Sequence, residues 1–319
     1  HTARLQGLTV VSVSAERQTY AEFVTALAAE LGRVDNALRQ EVDRWKVAVG
    51  TGPFKFERVR ADAALDDLLQ RAVARTKDGP LVLFIDEVTV LARNLEREKP
   101  GGGDAFLHLL RRFRQEHSGR LATVLSGSIG FHHVSEDALS SVNDIRKVTV
   151  GPIRHDHATY LAECLLLGVN VPTTDRHQVA ESIAAAAENV PYYIQHLVAG
   201  AAREGSVKPD RIAELLAAAI TDPHDPWDLR HYRDRLRNYY GDDAPAIAGL
   251  LDIYAHAPTP LSVNATLQFL KTEGSPITDR DELVSFIERL EQDHYLRRVG
   301  DDDCFASGLV QSAWRAMRR

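Results

Sequence analysis

Leu81-Val82-Leu83-Phe84-Ile85-Asp86-Glu87 decides the fold: five apolar residues run without interruption into two adjacent acids. A short, unbroken apolar run reads as a strand buried on both faces of a parallel sheet, since a strand with one wet face would alternate. Just before it, Leu65, Leu68, Leu69 and Val73 recur at helical spacing and predict a helix over 61–75, closed by the breakers Lys77-Asp78-Gly79-Pro80. Just after it, the chain reads as a polar loop reaching Gly101-Gly102-Gly103. A helix from Asp104 to His117 follows, then a second buried strand from Leu121 to Ser126 that ends in Gly127-Ser128. Further out, Thr9 to Ser14 (TVVSVS) reads as another strand. It leads to a helix on Tyr20, Phe23, Val24, Leu27 and Leu31, a second helix over 36–47 and a loop over 50–60. On the other side Ile145 to Val150 reads as a fourth strand, stopped by Gly151-Pro152. Strands and helices alternating at this rhythm imply right-handed βαβ units and a parallel sheet covered on both faces.

Beyond Pro152 the β signal disappears. Residues 155–221 form a series of alanine- and leucine-rich helices, and Pro223 and Pro226 mark a linker. The remainder predicts helices over 229–240, 244–256, 261–270 and 281–293. Tyr295 to Val299 and Cys304 to Ala306 then flank a turn of Gly300 and three aspartates, and helices followed by a small hairpin describe a winged helix. The organisation is therefore an α/β core over 1–152, a helical unit over 153–225 and a winged helix over 226–319.

Composition excludes several classes. Of 319 residues, 44% are apolar and 26% charged, which suits a globular chain and not a disordered one. No apolar run approaches the eighteen or so residues that cross a bilayer, and HTARLQGLTVVSVS lacks the layout of a signal peptide, so no membrane association and a cytoplasmic location are expected. Cys164 and Cys304 stand far apart with no metal-ligand spacing, so neither a disulfide framework nor a zinc site is indicated. A net charge of −7 argues against coating nucleic acid by bulk electrostatics. Residues 226–319 carry twelve Lys and Arg against fifteen Asp and Glu, a local charge of −3.

Ligands of open α/β sheets sit at the carboxyl ends of the strands, which is where Asp86 and Glu87 fall. An apolar strand ending in Asp-Glu is the Walker B pattern. The first carboxylate holds Mg²⁺, generally through water, and the second polarises the attacking water. Adjacent residues at a strand end diverge, so the two acids can divide these roles. Ser126 ends the next strand, where a hydroxyl either senses a γ-phosphate or positions the water; Ser-Gly-Ser also makes a turn on its own account.

The segments VLFIDE (82–87), LSGSIGF (125–131), VGPI (150–153), NVPYYIQHL (189–197) and the tail from Leu290 to Arg319, in that order, resemble the P-loop ATPases of the AAA+/STAND group, in particular the archaeal-type ATPases with a C-terminal winged helix. The resemblance implies an ASCE/AAA+-like parallel-sheet core, a helical lid over 153–225 and a winged helix, with ATP or ADP and Mg²⁺ as cofactors. It implies Asp86 as the magnesium-associated acid, Glu87 as the catalytic acid and Ser126 as the sensor. Pro191 and Tyr192 become the lid helix that closes over nucleotide, although Tyr192 and Tyr193 also read as core aromatics. The function implied is an ATP-dependent switch that controls assembly or a protein effector, or self-associates, in signalling or defence. A DNA-associated ATPase and a non-hydrolysing scaffold are the alternatives, and charge disfavours DNA as the partner.

In one respect the chain departs from that family. GxxxxGK[ST] is absent, and the nearest glycine-rich stretch, Gly50 to Lys55, has the wrong spacing and no Ser or Thr after its lysine. The expectation is a Walker A segment upstream of His1, roughly thirty residues of strand, loop and helix. Arg111, Arg112, Arg114, Arg146 and Arg154 are candidates to reach a neighbour's phosphate, with surface solvation the ordinary role of such arginines.

Overall fold

The computed structural model describes residues 8–16, 19–33, 58–76, 79–135, 138–173 and 175–318, with side chains described from residue 65 in the helix that begins at 58. The expected helix over 36–47, residues 50–57 of the loop expected over 50–60 and the glycine-rich stretch Gly50 to Lys55 lie outside these residues; residues 58–60 of that loop belong to a helix, which starts three residues earlier than expected. The chain divides into two compact units, His1–Arg146 and Lys147–Arg319.

In the first unit the order is β1 (Val10–Ser14), α1 (Tyr20–Gly32), α2 (Arg58–Arg75), β2 (Leu81–Asp86), α3 (Val88–Glu98), α4 (Gly102–Glu116) and β3 (Leu121–Leu125), followed by 3₁₀ turns at Phe131–His133 and Ala138–Val142. The three strands are parallel in the order β1-β2-β3, with Val11 beside Leu83 and Leu83 beside Thr123. On one face Val11, Val13, Leu81, Leu83, Ile85 and Leu121 are buried against Phe23, Leu27, Leu69, Leu91, Phe106 and Phe113 from the helices. Phe106 takes the rings of Tyr20 and Phe23 edge-on at 5.8 and 5.6 Å.

Three expectations are corrected here. Among the described residues the sheet is covered on one face, not both: Ser12, Ser14, Ala122 and Val124 are exposed on the other, with Val82 and Phe84 half-buried. The segment after Glu87 is a helix and not a polar loop. Val88, Leu91, Ala92 and Leu95 form its buried stripe, with charged residues on the outer side. The Glu96 carboxylate accepts the amides of Gly101 at 2.7 Å and Gly103 at 2.9 Å, capping the start of α4. A Cβ at Gly103 would stand 2.4 Å from the Ala92 carbonyl oxygen, so glycine is what lets the two helices approach. Finally, residues 145–150 form no strand. They pair with none of the described strands, and Val148 and Val150 are 75% and 94% exposed. A β-branched run becomes a strand only where a neighbour takes its amides and carbonyls.

The second unit begins with four helices, α5 (His155–Gly168), α6 (Arg176–Ala186), α7 (Pro191–Glu204) and α8 (Arg211–Thr221). It continues through α9 (His231–Tyr240), α10 (Ala244–His256), β4 (Leu261–Ser262), α11 (Val263–Thr272), α12 (Arg280–Gln292), β5 (Leu296–Val299), β6 (Asp302–Phe305) and α13 (Gly308–Met317). The antiparallel sheet β4-β6-β5 packed with α10, α11 and α12 is a winged-helix arrangement. Side chains of Asp175, Ser262, Asp279 and Ser307 cap the starts of α6, α11, α12 and α13.

Two hydrophobic clusters fill this unit, and α13 enters both. Leu309 and Ala313 join Leu166, Ile183, Ile194 and Leu197, whereas Val310 and Trp314 join Ile247, Leu250, Leu290 and Tyr295. Glu188 reinforces the joint by accepting the Leu309 amide at 2.8 Å. The wing turn is shorter than three aspartates: Asp302 and Asp303 belong to β6, and Gly300, at φ 65°, makes the bend.

Asp303 is 1% exposed, and among the described residues its Oδ1 has no hydrogen-bond partner; the Arg298 Nε stands 3.6 Å away. Burial pushes this carboxyl above the ordinary aspartate range, partly offset by Arg298 and reinforced by Glu291. A raised folded value means the folded state holds the proton more tightly than the unfolded one. This group's contribution is therefore fully present below about pH 4, its unfolded range, and is lost as pH rises through the folded value. Asp303→Asn removes the buried charge and is expected to raise stability at pH 7 by about 1 kcal/mol, with the gain shrinking toward pH 4. Urea unfolding of both proteins at the two pH values checks this.

Candidate functional site

β2 delivers Asp86 to its carboxyl end, and Glu87 turns the chain straight into α3. Glu87 does so in the left-handed region, at φ 55° and ψ 32°. A non-glycine residue there costs on the order of 1–2 kcal/mol, which the buried Val88 and the flanking hydrogen bonds offset. The Val88 amide donates to the Ser126 carbonyl at 3.0 Å and the Ser126 amide to the Ile85 carbonyl at 3.0 Å, so the ends of β2 and β3 are stitched together.

Side chains complete the arrangement. Ser126 Oγ donates to Asp86 Oδ1 at 2.6 Å, and the Glu87 amide donates to the same oxygen at 3.1 Å. Ser128 donates twice to Glu87 Oε2, from its amide at 2.9 Å and its Oγ at 2.8 Å. Between the serines, Gly127 has no room for a side chain, because a Cβ would lie 2.1 Å from Thr89 Oγ1. Thr89 is itself 1% exposed, and among the described residues its hydroxyl has no hydrogen-bond partner. Asp86 is exposed and Glu87 and Ser126 are half-buried, so the group opens to solvent at the carboxyl ends of the strands. Among the described residues Asp86 Oδ2 and Glu87 Oε1 accept no hydrogen bond. An all-oxygen donor set of carboxylates and a hydroxyl has the hard-ligand chemistry that suits Mg²⁺.

Asp86, Glu87 and Ser126 thus come together as a single hydrogen-bonded cluster. Pro191 and Tyr192 lie in the second unit, at the first turn of α7. Tyr192 is 48% exposed, its ring stands 4.5 Å from that of His196, and its hydroxyl donates to the Trp227 carbonyl at 3.3 Å. Burial, with Asp228 and Asp225 nearby, raises its phenol above the ordinary tyrosine value. Tyr193 is buried and stacks on Trp227, so this member of the pair is a core aromatic.

The arginines on α4 are engaged within their own unit. Arg114, with a side chain 10% exposed, binds Asp144 at 2.7 Å and the Ser141 carbonyl at 2.8 Å. Arg111 binds the Ser140 carbonyl at 2.7 Å, and Arg112 stands near Asp66 and Glu116. The hydrogen bond from Arg114 holds the Asp144 carboxyl below the usual aspartate range. Arg154 pairs with Asp156 at 2.7 Å. Sequence reasoning misses Ser128 as the partner of the Glu87 carboxylate and Thr89 as the residue against which Gly127 lies; the available signal is a glycine set between two serines at a strand end.

No protein-family model matches the chain, and no curated protein does. Among solved structures it is similar to the Walker-type ATPase PABY2304 of Pyrococcus abyssi, with a TM-score of 0.60 and 16% identity over 98% of this chain and 85% of that one. A second match, a single-substitution variant of RuvB from Thermotoga maritima, has a TM-score of 0.36 and 14% identity over 95% and 87% of the two chains. The first likeness shows a shared fold: this chain has the α/β architecture of a Walker-type ATPase with a C-terminal antiparallel hairpin.

Proposed function

We propose that the carboxyl ends of β2 and β3 form the hydrolytic site of an ATP-dependent molecular switch, which controls assembly or a protein effector in signalling or defence. The observation that carries this reading is the Asp86–Glu87–Ser126 cluster, two carboxylates of different surroundings at the strand ends: that of Asp86 accepts from the Ser126 hydroxyl and the Glu87 amide, and that of Glu87 accepts from Ser128. In this reading residues 1–152 are the nucleotide core, 153–225 the lid and 226–319 the winged helix, and Pro191 and Tyr192 keep the nucleotide-contacting role that the resemblance implies.

Each acid has one task. Asp86, oriented by the Ser126 hydroxyl, would hold a Mg²⁺ ion. When bound, that ion neutralises charge on the phosphates. Glu87 accepts a proton at Oε1 from the attacking water. The water oxygen bonds to the γ-phosphorus, while the bond to the bridging oxygen breaks and its electron pair leaves on ADP. Ser126 keeps the Asp86 carboxylate in one rotamer.

The winged helix, in this reading, meets a protein and not DNA. The outer side of α12 exposes Asp281, Glu282 and Glu288, and the wing adds Asp301. Those charges repel phosphate and, set against the exposed Arg280, Arg297 and Arg298, weaken the electrostatic attraction on which DNA binding depends.

The test uses the full-length protein. Hydrolysis of ATP is expected to require Mg²⁺, and Asp86→Asn is expected to raise the Mg²⁺ concentration for half-maximal rate about tenfold or more, removal of one charged ligand being worth at least about 1.4 kcal/mol. A Mg²⁺ titration of the rate measures it. An unchanged midpoint removes Asp86 from the metal site.

A further inference from the structure

We infer that Ser128 is a positioning residue for Glu87, an inference that rests on reading Glu87 as the acid that activates water. Ser128 places two donors, the backbone amide at 2.9 Å and Oγ at 2.8 Å, on one carboxylate oxygen, Oε2. Two donors on a single oxygen fix the rotation of the carboxylate about its last bond. The other oxygen, Oε1, is then held at one place to receive a proton. Hydrogen bonds to an ionised carboxylate are the stronger kind, so the clamp outcompetes the rotamer freedom of an ordinary glutamate.

The clamp is itself anchored from below. The Val88 amide binds the Ser126 carbonyl, and Gly127 lies against the buried Thr89 hydroxyl with no space for a Cβ. The loop that carries Ser128 is therefore tied to the first turn of α3, the element that Glu87 begins. Both partners are fixed to the same short piece of backbone, and this backbone holds Glu87 in its left-handed conformation.

The experiment uses the full-length protein with ATP and Mg²⁺. Ser128→Ala is expected to lower kcat about tenfold with KM within about twofold, Ser128→Thr to restore most of the rate, and Ser128→Ala to add no further loss in a Glu87→Gln background. In the nucleotide-free protein the ¹³C carboxylate resonance of Glu87 is expected to move in Ser128→Ala and stay near its original position in Ser128→Thr. Unchanged kcat in an active Ser128→Ala protein, or an equal loss in the Glu87→Gln background, overturns the positioning role. A wild-type protein that hydrolyses no ATP overturns the hydrolytic reading instead. An unmoved Glu87 resonance in Ser128→Ala overturns the clamp whatever the activity.

Discussion

Glu87→Gln in the full-length protein is expected to lower the rate of ATP hydrolysis by about 10²–10⁴-fold while leaving ATP affinity within a few fold. The substitution is nearly isosteric, and its amide oxygen still accepts from Ser128, so neither the turn into α3 nor the tie to the loop after β3 should be disturbed. What is lost is a basic oxygen, the one property on which proton removal from water depends. A fall in kcat without a rise in KM is the signature of an interaction made in the transition state, and steady-state kinetics beside equilibrium binding of ATP separates the two. Glycine at 87 is a poor substitute for this test, because it changes the backbone at a residue with φ 55° along with the chemistry.

The largest stability effect is expected in the second unit. Trp314 is fully buried, donates its indole N–H to Asp252 Oδ1 at 2.8 Å and meets the rings of Tyr295 and Phe305 at 6.5 and 6.4 Å. Trp314→Ala opens a cavity, discards the aromatic contacts and leaves one carboxylate bond unmade, for a loss of about 3–5 kcal/mol. Its position on α13, a helix with Leu309 and Ala313 in one cluster and Val310 and Trp314 in the other, carries the loss into both. Urea unfolding followed by circular dichroism measures it; a loss below about 1 kcal/mol would show that α13 is not a structural joint.

Legibility in the sequence differs from element to element. β2 is plain, because a strand that is apolar throughout and ends in two acids admits few other readings. The winged helix is legible as well, since capping residues and a Gly300 turn punctuate helices of ordinary length. α3 escapes notice although Val88, Leu91, Ala92 and Leu95 carry the i, i+3, i+4, i+7 pattern. The three glycines downstream and the charges between those positions draw the reading toward a loop. The strand expected over 145–150 has the right residues, but pairing is a non-local property that a β-branched run cannot announce. Exposure of one sheet face is written in the alternation Val11, Ser12, Val13, Ser14, and the short, nearly uncharged run conceals it.

The candidate site divides in the same way. Asp86, Glu87 and Ser126 fall at strand ends, where a local reading suffices. The bonds from Ser128 to Glu87 span 41 residues and form only when β3 lies beside β2. Likewise Gly127 looks like a turn residue in the sequence and proves to be a packing requirement of Thr89. Local pattern locates the chemistry; contacts between distant segments orient it.

Nucleotide and metal are expected to meet at the carboxyl ends of β2 and β3, and paramagnetic NMR of the full-length protein with ATP, using Mn²⁺ in place of Mg²⁺, tests this without relying on turnover. Broadening that falls off with distance from Asp86, Glu87 and Ser126, and that disappears when ATP is omitted, is the predicted result. Broadening centred elsewhere, or none around these three residues at saturating ATP, would contradict the assignment of the site.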